Sequence, residues 1–342
     1  MQTHTPFTTS HDRLAVDSPQ PKELLIIDGF NLLYRAYYAN RELATPTGQP
    51  TGAIHGFFRS LHMLEKNHPY AQVAITWDRI PEGTWAEIEG HIRLEKIESG
   101  KPTEAPDQSR KSISPMYKAH RTEMPQELQS QLAYILMIAD GYGLPMFQGT
   151  AIYEADDLLG SLAVQAQARG IPVTIGTGDK DILAMVKDAQ PSCQVFSFNT
   201  NTYMREKDVV EKFGVTPQKI PDFLALMGDT VDGIDGVKGC GPKTAAKWIA
   251  QYHNVEGIVE HAQDIKGVVG NHLREAAERL ATNKTLATLR TNIDAPLVEQ
   301  TLPKPLNIAM VVQLCEHLAL RQEKEYALKL QHHDQGNSYE PS

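Results

Sequence analysis

Three short apolar runs in this sequence lead into an aspartate. Leu24–Ile27 stops at Asp28, Val73–Trp77 at Asp78, and Ile171–Ile175 continues through Gly176-Thr177-Gly178 to Asp179. Asp181 follows in the same loop, Gly178-Asp179-Lys180-Asp181. A further acidic group, Glu154-Ala155-Asp156-Asp157, opens a helical pattern in which Glu154 and Asp157 share a face at i, i+3. The helix start offsets part of the repulsion among these charges. Taken singly, an aspartate after a strand is more often a turn or cap residue, and EADD alone more often a solvated helix start. Several carboxylates converging without cations would raise each other's pKa. An oxygen-only set of this kind suits Mg²⁺ or Mn²⁺, not zinc. Two such ions stabilise the attacking and leaving oxygens of an in-line phosphoryl displacement, so the chemistry indicated is phosphodiester hydrolysis.

The elements that must position these residues are legible as a rhythm. Continuous apolar runs suit strands buried on both faces, and helical patterns lie between them at about Gly52–Lys66, Pro125–Gly141 and Ala155–Arg169. That alternation predicts an α/β fold with a parallel sheet, whose sites form beyond the carboxyl ends of its strands. Arg79–Pro115 interrupts the rhythm with an amphipathic pattern, Trp85–Ile97, and a Gly/Pro/Ser-rich stretch, the composition of a functional or disordered loop. After about Tyr203 short helices are expected around Phe213–Val215, Pro221–Met227 and Thr244–Ala250, which suggests a smaller helical domain. The predicted organisation is a tail at 1–22, an α/β domain at 23–205 with an insertion at about 79–121, a helical domain at 206–330 and a tail at 331–342.

Composition is that of a globular protein, with 41% hydrophobic and 22% charged residues over 342 positions. The net charge of −9 argues against a general nucleic-acid binder, though less so where acids are committed to metal. Cys193, Cys240 and Cys315 have neither zinc nor disulfide spacing. With no apolar leader core and no membrane-length run, a monomeric cytoplasmic protein is expected.

A second informative stretch is Gly236-Val-Lys-Gly-Cys-Gly-Pro-Lys-Thr-Ala245, which resembles a helix–hairpin–helix. Gly239 and Gly241 would let the backbone approach a phosphate, and Pro242 suits the first turn of a helix whose free N–H groups favour anions. Lys238, Lys243 and Lys247, with Thr244 at the same helix start, supply sequence-independent backbone contact. Asp229 and Asp232, at i, i+3 just ahead, could reach the metal site or cap a helix end.

The motifs IDGFNLLYRAYYA, ITWD, SPMYKAHR, YEADDLLGSLA, GTGDKDILAMV and LMGDTVDGIDGVKGCGPKTAAKWI occur in this order. Over about Leu24–Asn283 the chain thereby resembles the bacterial and phage 5′ nucleases, which include flap endonucleases and the 5′-nuclease domain of bacterial DNA polymerase I. The resemblance implies a resolvase-like (PIN-like) α/β domain with a helical arch, a helix–three-turn–helix domain, and a free-standing member without a polymerase. It implies metal-site carboxylates at Asp28, Asp78, Glu154, Asp156, Asp157, Asp179, Asp181, Asp229 and Asp232. It further implies that Lys118, between Tyr117 and Arg121, is an arch lysine directed at the scissile phosphate, with Arg35 beside that phosphate and Arg110 in the arch contacting DNA. Tyr117 and Arg121 are read as DNA contacts with it, and Tyr34 as a surface for a frayed base. K⁺ in the hairpin, held by carbonyls of Val237 and Gly239, is implied too. The substrate expected is branched duplex with a 5′ flap or 5′ end, and RNA primers.

Two departures stand out. The stretch from Asp78 to Arg110 is longer than usual, either an enlarged clamp with Arg93, Lys96 and Lys101 facing DNA or a bystander insertion. Gly233 and Asp235 replace an Asn and a Pro, and are expected to loosen the turn and weaken the metal site. Rival readings are a DNA-binding homologue with little catalysis and a PIN-type ribonuclease. His332-His333-Asp334 reads as solvated tail, Tyr37 and Tyr38 as packing rings, and Cys240 as apolar filler.

Overall fold

The computed structural model describes residues 21–80, 92–93 and 109–336, with the backbone alone at 92–93 and 332–336. Its centre is a seven-stranded sheet in the order β3-β4-β2-β1-β5-β6-β7. The strands are β1 (Glu23–Asp28), β2 (Ala71–Trp77), β3 (Ile92–Arg93), β4 (Met146–Gln148), β5 (Val173–Thr177), β6 (Cys193–Ser197) and β7 (Thr202–Met204). All neighbours run parallel except the β6–β7 pair. The alternation of side chains explains the uninterrupted apolar runs. In β1, Leu24 and Ile26 enter one core while Leu25 and Ile27 enter the other, and all four are fully buried.

One face is covered by α1 (Gly29–Ala39), α2 (Gly52–Asn67) and, beyond the short α3 (Arg110–Ile113), α4 (Gln126–Gly141). The other carries α5 (Ala155–Ala168), and its core runs without a break into the helical part. There α6 (Glu206–Phe213), α7 (Ile220–Met227), α8 (Pro242–Tyr252), α9 (Val255–Glu260) and α10 (Val268–Ala287) follow in order. Ile175 and Leu159 thus share one apolar cluster with Leu224, Trp248 and Leu280.

Several expectations need correction. The helix expected around Phe213–Val215 lies earlier, at Glu206–Phe213, because Gly214 ends it in the left-handed region with φ 72°. The helical domain does not extend to 330. The last two helices, α11 (Ile308–His317) and α12 (Arg321–Gly336), return to the first face, where Val311, Cys315 and Ala327 pack in the core of α2 and α4. A tail from 331 is likewise replaced by helix through Gly336, which includes His332, His333 and Asp334. Within the expected Trp85–Ile97 helix, Ile92–Arg93 instead pairs with Phe147–Gln148 at the sheet edge. The rest of that helix, Lys96, Lys101 and the N-terminal tail to residue 20 lie outside the described residues. No helix among the described residues is long and apolar enough to cross a membrane.

Candidate active site

Three parallel strands deliver the first acidic group. Asp28 is the last residue of β1 and also the N-cap of α1, accepting a hydrogen bond from the Asn31 amide at 3.1 Å. Its second oxygen accepts from Thr177 Oγ1, at the end of β5, at 2.7 Å. Asp78 follows β2 and accepts from the Ala155 amide at 2.9 Å, which ties that strand end to the start of α5. Asp28, Asp78, Asp156 and Asp179 together line one wall of a cleft of about 830 Å³. Burial, followed by the charges of Asp179 and Asp78, raises the Asp28 carboxyl to about 7 against the pull of its two hydrogen bonds. Asp156 is driven well above the usual carboxylate range by burial and then by Asp179, Asp28 and Asp78.

The second group lies where the 228–241 loop meets the sheet. Oxygens of Asp181, Asp229 and Asp232 all fall within 4.8 Å of one another. Asp181 is buried, and its Oδ1 has no hydrogen-bond partner among the described residues. Burial raises Asp181 strongly, as do the charges of Asp179, Asp232 and Asp229. Asp179 therefore acts on both groups. An orphaned, buried carboxylate oxygen beside two further carboxylates is the donor set a hard divalent cation takes.

Basic side chains interleave with the acids. Lys118 Nζ lies 2.7 Å from Glu154 Oε2, where it and Tyr117 oppose the effect of burial and hold Glu154 below its ordinary range. Lys180 pairs with Asp229 at 2.8 Å. Arg121 spans the two groups, 3.2 Å from Asp232 and 3.8 Å from Asp78. The cleft is also lined by Tyr34, Arg35 and Tyr38. Arg35 is exposed, and the rings of Tyr34 and Tyr38 stack at 6.4 Å. Tyr37 is buried, with its hydroxyl on Glu127.

The structure removes three residues from the roles expected of them. Asp157 is fully buried, and both its oxygens are taken: Arg110 donates to each, at 2.8 and 2.6 Å, and the amides of Glu154 and Arg290 add one bond apiece. That carboxylate has no lone pair left facing a metal. Arg110, only 4% exposed, also donates to the carbonyls of Leu286 and Thr288 and cannot reach DNA. Tyr117 is buried too, its hydroxyl on Glu154 at 3.0 Å and Asp232 at 3.5 Å. Gly233 does not loosen its turn. With φ 69° and a Cβ position that would overlap the Met116 carbonyl oxygen, it is fixed by close approach.

The stretch expected to form a hairpin spans Gly236–Ala245. Lys238, Lys243 and Lys247 are exposed, Gly239 has φ 79°, and Cys240 is buried. The Val237 carbonyl already accepts the Cys240 amide at 2.9 Å. Helix α10 braces the hairpin in a way the sequence did not reveal. Arg279 donates to the carbonyls of Asp235 and Gly236, Asn283 to Asp235, and His272 meets the Lys238 carbonyl at 2.9 Å. Asn31 and Asn199 were also missed by sequence reasoning; they pin the Gly178 amide and carbonyl at 2.7 and 3.0 Å and line the cleft. An asparagine inside the Asp28-Gly-Phe-Asn motif was the available signal for Asn31.

Comparison with known proteins decides the family. The model of the N-terminal resolvase-like domain of 5′-3′ exonucleases matches residues 23–88 and 102–214, and that of their C-terminal SAM fold matches 215–306. The chain belongs to the 5′-3′ exonuclease family. The unmatched residues 89–101 fall inside the stretch read as longer than usual. A 5′-3′ exonuclease of Aquifex aeolicus is 33% identical over 281 residues, which cover 82% of this chain and 86% of that protein. DNA polymerase I of a Synechocystis strain is 32% identical over 87% of this chain but only 29% of the polymerase, so the chain spans under a third of that relative. Among solved structures, the 5′-exonuclease of phage T5 with bound zinc superposes with TM-score 0.59 at 20% identity, covering 90% of this chain and 98% of that one. Flap endonuclease-1 from Methanococcus jannaschii gives 0.51 at 17% identity, covering 91% and 92%. Both share the fold of this family member.

Proposed function

We propose that the protein is a structure-specific 5′-3′ exonuclease and flap endonuclease that hydrolyses phosphodiesters of branched DNA, and of RNA primers, in replication or repair. The observation that carries this reading is the meeting of two acidic groups through Asp179 at the floor of an open cleft. Asp28, Asp78, Asp156 and Asp179 would hold one divalent ion, Mg²⁺ or Mn²⁺, and Asp179, Asp181, Asp229 and Asp232 a second. Such a pair supplies charge stabilisation for the attacking and leaving oxygens of an in-line displacement.

The remaining groups bind and orient. Arg35, exposed in the cleft lining, offers a bidentate hold on a phosphate. Lys118 on Glu154 places a second positive charge beside the carboxylates. Tyr34 and Tyr38 present ring faces to an unpaired base at the 5′ end. Lys238, Lys243 and Lys247 hold the duplex backbone at a distance from the cut, and Gly239, Gly241 and Thr244 open that helix start to a phosphate. A K⁺ in the hairpin would share the Val237 carbonyl with the Cys240 amide. Specificity in this scheme comes from a free 5′ end and bent duplex, not from base sequence, and a monomer in the cytoplasm suffices.

The test is a labelled 5′-flap duplex incubated with and without Mg²⁺, beside Asp179→Asn. Metal-dependent cutting near the flap junction that the variant loses supports the reading. Binding without cutting by the wild-type protein overturns it in favour of a DNA-binding homologue. Cutting of single-stranded RNA alone overturns it in favour of a PIN-type ribonuclease.

A further inference from the structure

The segment Met116–Arg121 and the loop Asp229–Asp235 meet backbone to backbone. The Lys118 amide donates to the Asp232 carbonyl at 2.9 Å, and a Cβ on Gly233 would overlap the Met116 carbonyl oxygen. Two side-chain interactions close the same junction, and three more tie the segment to the carboxylates beside it. Tyr117 reaches Glu154 and Asp232, Arg121 reaches Asp232 and Asp78, and Lys118 reaches Glu154. Lys118 itself holds φ 54°, a left-handed conformation strained for a non-glycine residue, which persists only where its surroundings over-determine it.

We propose that Gly233 is a positioning residue, the seat on which the base of the arch lands. Its bare backbone lets the segment bearing Lys118 and Arg121 lock onto the loop bearing Asp229 and Asp232. The two basic residues and the second acidic group then keep one relative placement. A side chain at 233 meets a backbone oxygen that cannot swing aside, and it also meets a strained φ. The arch base must lift, which carries Lys118 off Glu154 and withdraws Arg121 from both acidic groups. The duplex grip is untouched, because Lys238, Lys243 and Lys247 follow the junction residues in the chain and take part in none of the contacts named above. The inference rests on the nuclease reading for its kinetic consequence but not for its structural one.

The experiment compares the full-length protein with Gly233→Ala and with Val210→Ala, an exposed side chain on α6. Three quantities are read: single-turnover cleavage of a 5′-flap duplex with Mg²⁺, duplex affinity without divalent metal, and hydrogen exchange across residues 116–121. For Gly233→Ala the expected result is a cleavage rate lower by roughly tenfold to a hundredfold. Duplex affinity stays unchanged, and the Lys118 amide exchanges faster. Val210→Ala matches the wild type in all three. Unchanged cleavage together with unchanged exchange in Gly233→Ala overturns the proposal. Should that variant not fold, Tyr117→Phe removes the hydroxyl holding Glu154 and Asp232 while keeping the ring. Faster exchange at Lys118 then supports the seat, and wild-type exchange overturns it. If the wild-type protein cuts no flap, the nuclease reading fails, while the exchange comparison still judges the junction.

Discussion

Arg110 and Asp157 form a buried, two-pronged pair, with both Nη atoms of the guanidinium within 2.8 Å of separate carboxylate oxygens. Asp157 is fully buried and Arg110 nearly so, and the pair joins α3 to the start of α5. Burial would lower the Arg110 pKa, but the bonds and charge of Asp157 raise it instead, so the guanidinium stays charged. Removing one partner leaves the other charge buried alone, a loss of about 3–5 kcal/mol. Arg110→Ala should therefore shift the urea midpoint markedly. Arg110→Lys should recover little, since an ammonium cannot fill both oxygens and two carbonyls at once. Wild-type stability in Arg110→Ala would show that the pair contributes nothing.

The Asp181, Asp229 and Asp232 cluster should report on metal without any cleavage. Mn²⁺ at about a hundred times its dissociation constant should stabilise the folded protein by about 2.7 kcal/mol. Asp232→Asn should lose part of that gain, while Asp157→Asn keeps it relative to its own lower metal-free stability. Calorimetric melts with and without Mn²⁺ separate the two variants. Equal metal gains in both would place the ion elsewhere.

The hairpin lysines should govern affinity and not chemistry. Lys238→Ala, Lys243→Ala and Lys247→Ala each remove one cation from the duplex backbone. Each should flatten the plot of log affinity against log salt by about 0.9. Cleavage at saturating substrate should stay near wild type. Fluorescence anisotropy across a salt series, with single-turnover cleavage beside it, checks both statements.

The C-terminal helix α12 should be held by a proton. His62 lies between Glu65 at 2.8 Å and Glu323 of α12 at 2.9 Å, and its ring stacks on Tyr326. Burial would lower its pKa, yet the two glutamates raise it from 6.5 to about 9. Because the folded value exceeds the unfolded one, the stabilisation is complete below pH 6.5 and disappears as pH rises through about 9. The loss is on the order of 3 kcal/mol across that window. Melts of wild type and His62→Gln between pH 6 and 10 should converge at the alkaline end. A constant gap would remove the titration from the account.

Much of this architecture could be read from local patterns. An apolar run ending in aspartate identifies a strand and its functional end together, so Asp28, Asp78 and Asp179 were legible from neighbours within eight residues. Asp157 was misread for the same reason. Its i, i+3 spacing with Glu154 suggested a shared role, but its partner Arg110 is 47 positions away, and no periodicity reports such a pair. Tyr117 and Gly233 share that blindness, since an interaction across 115 residues set the role of each side of the junction. The return of α11 and α12 to the first face was hidden because an amphipathic helix declares that it has an apolar side, not which surface will cover it.

That return changes how the part bearing Lys238, Lys243 and Lys247 is mounted. The chain leaves the sheet after β7, forms the hairpin helices, and comes back to pack against α2 and α4, while the core beneath α5 continues unbroken into α7, α8 and α10. The hairpin is anchored at both ends and welded along its floor. The span between Lys238, Lys243 and Lys247 and the carboxylates that face the cleft is then fixed when the protein folds. On the proposed nuclease reading that span would act as a gauge, setting the length of duplex between grip and cut whatever its bases.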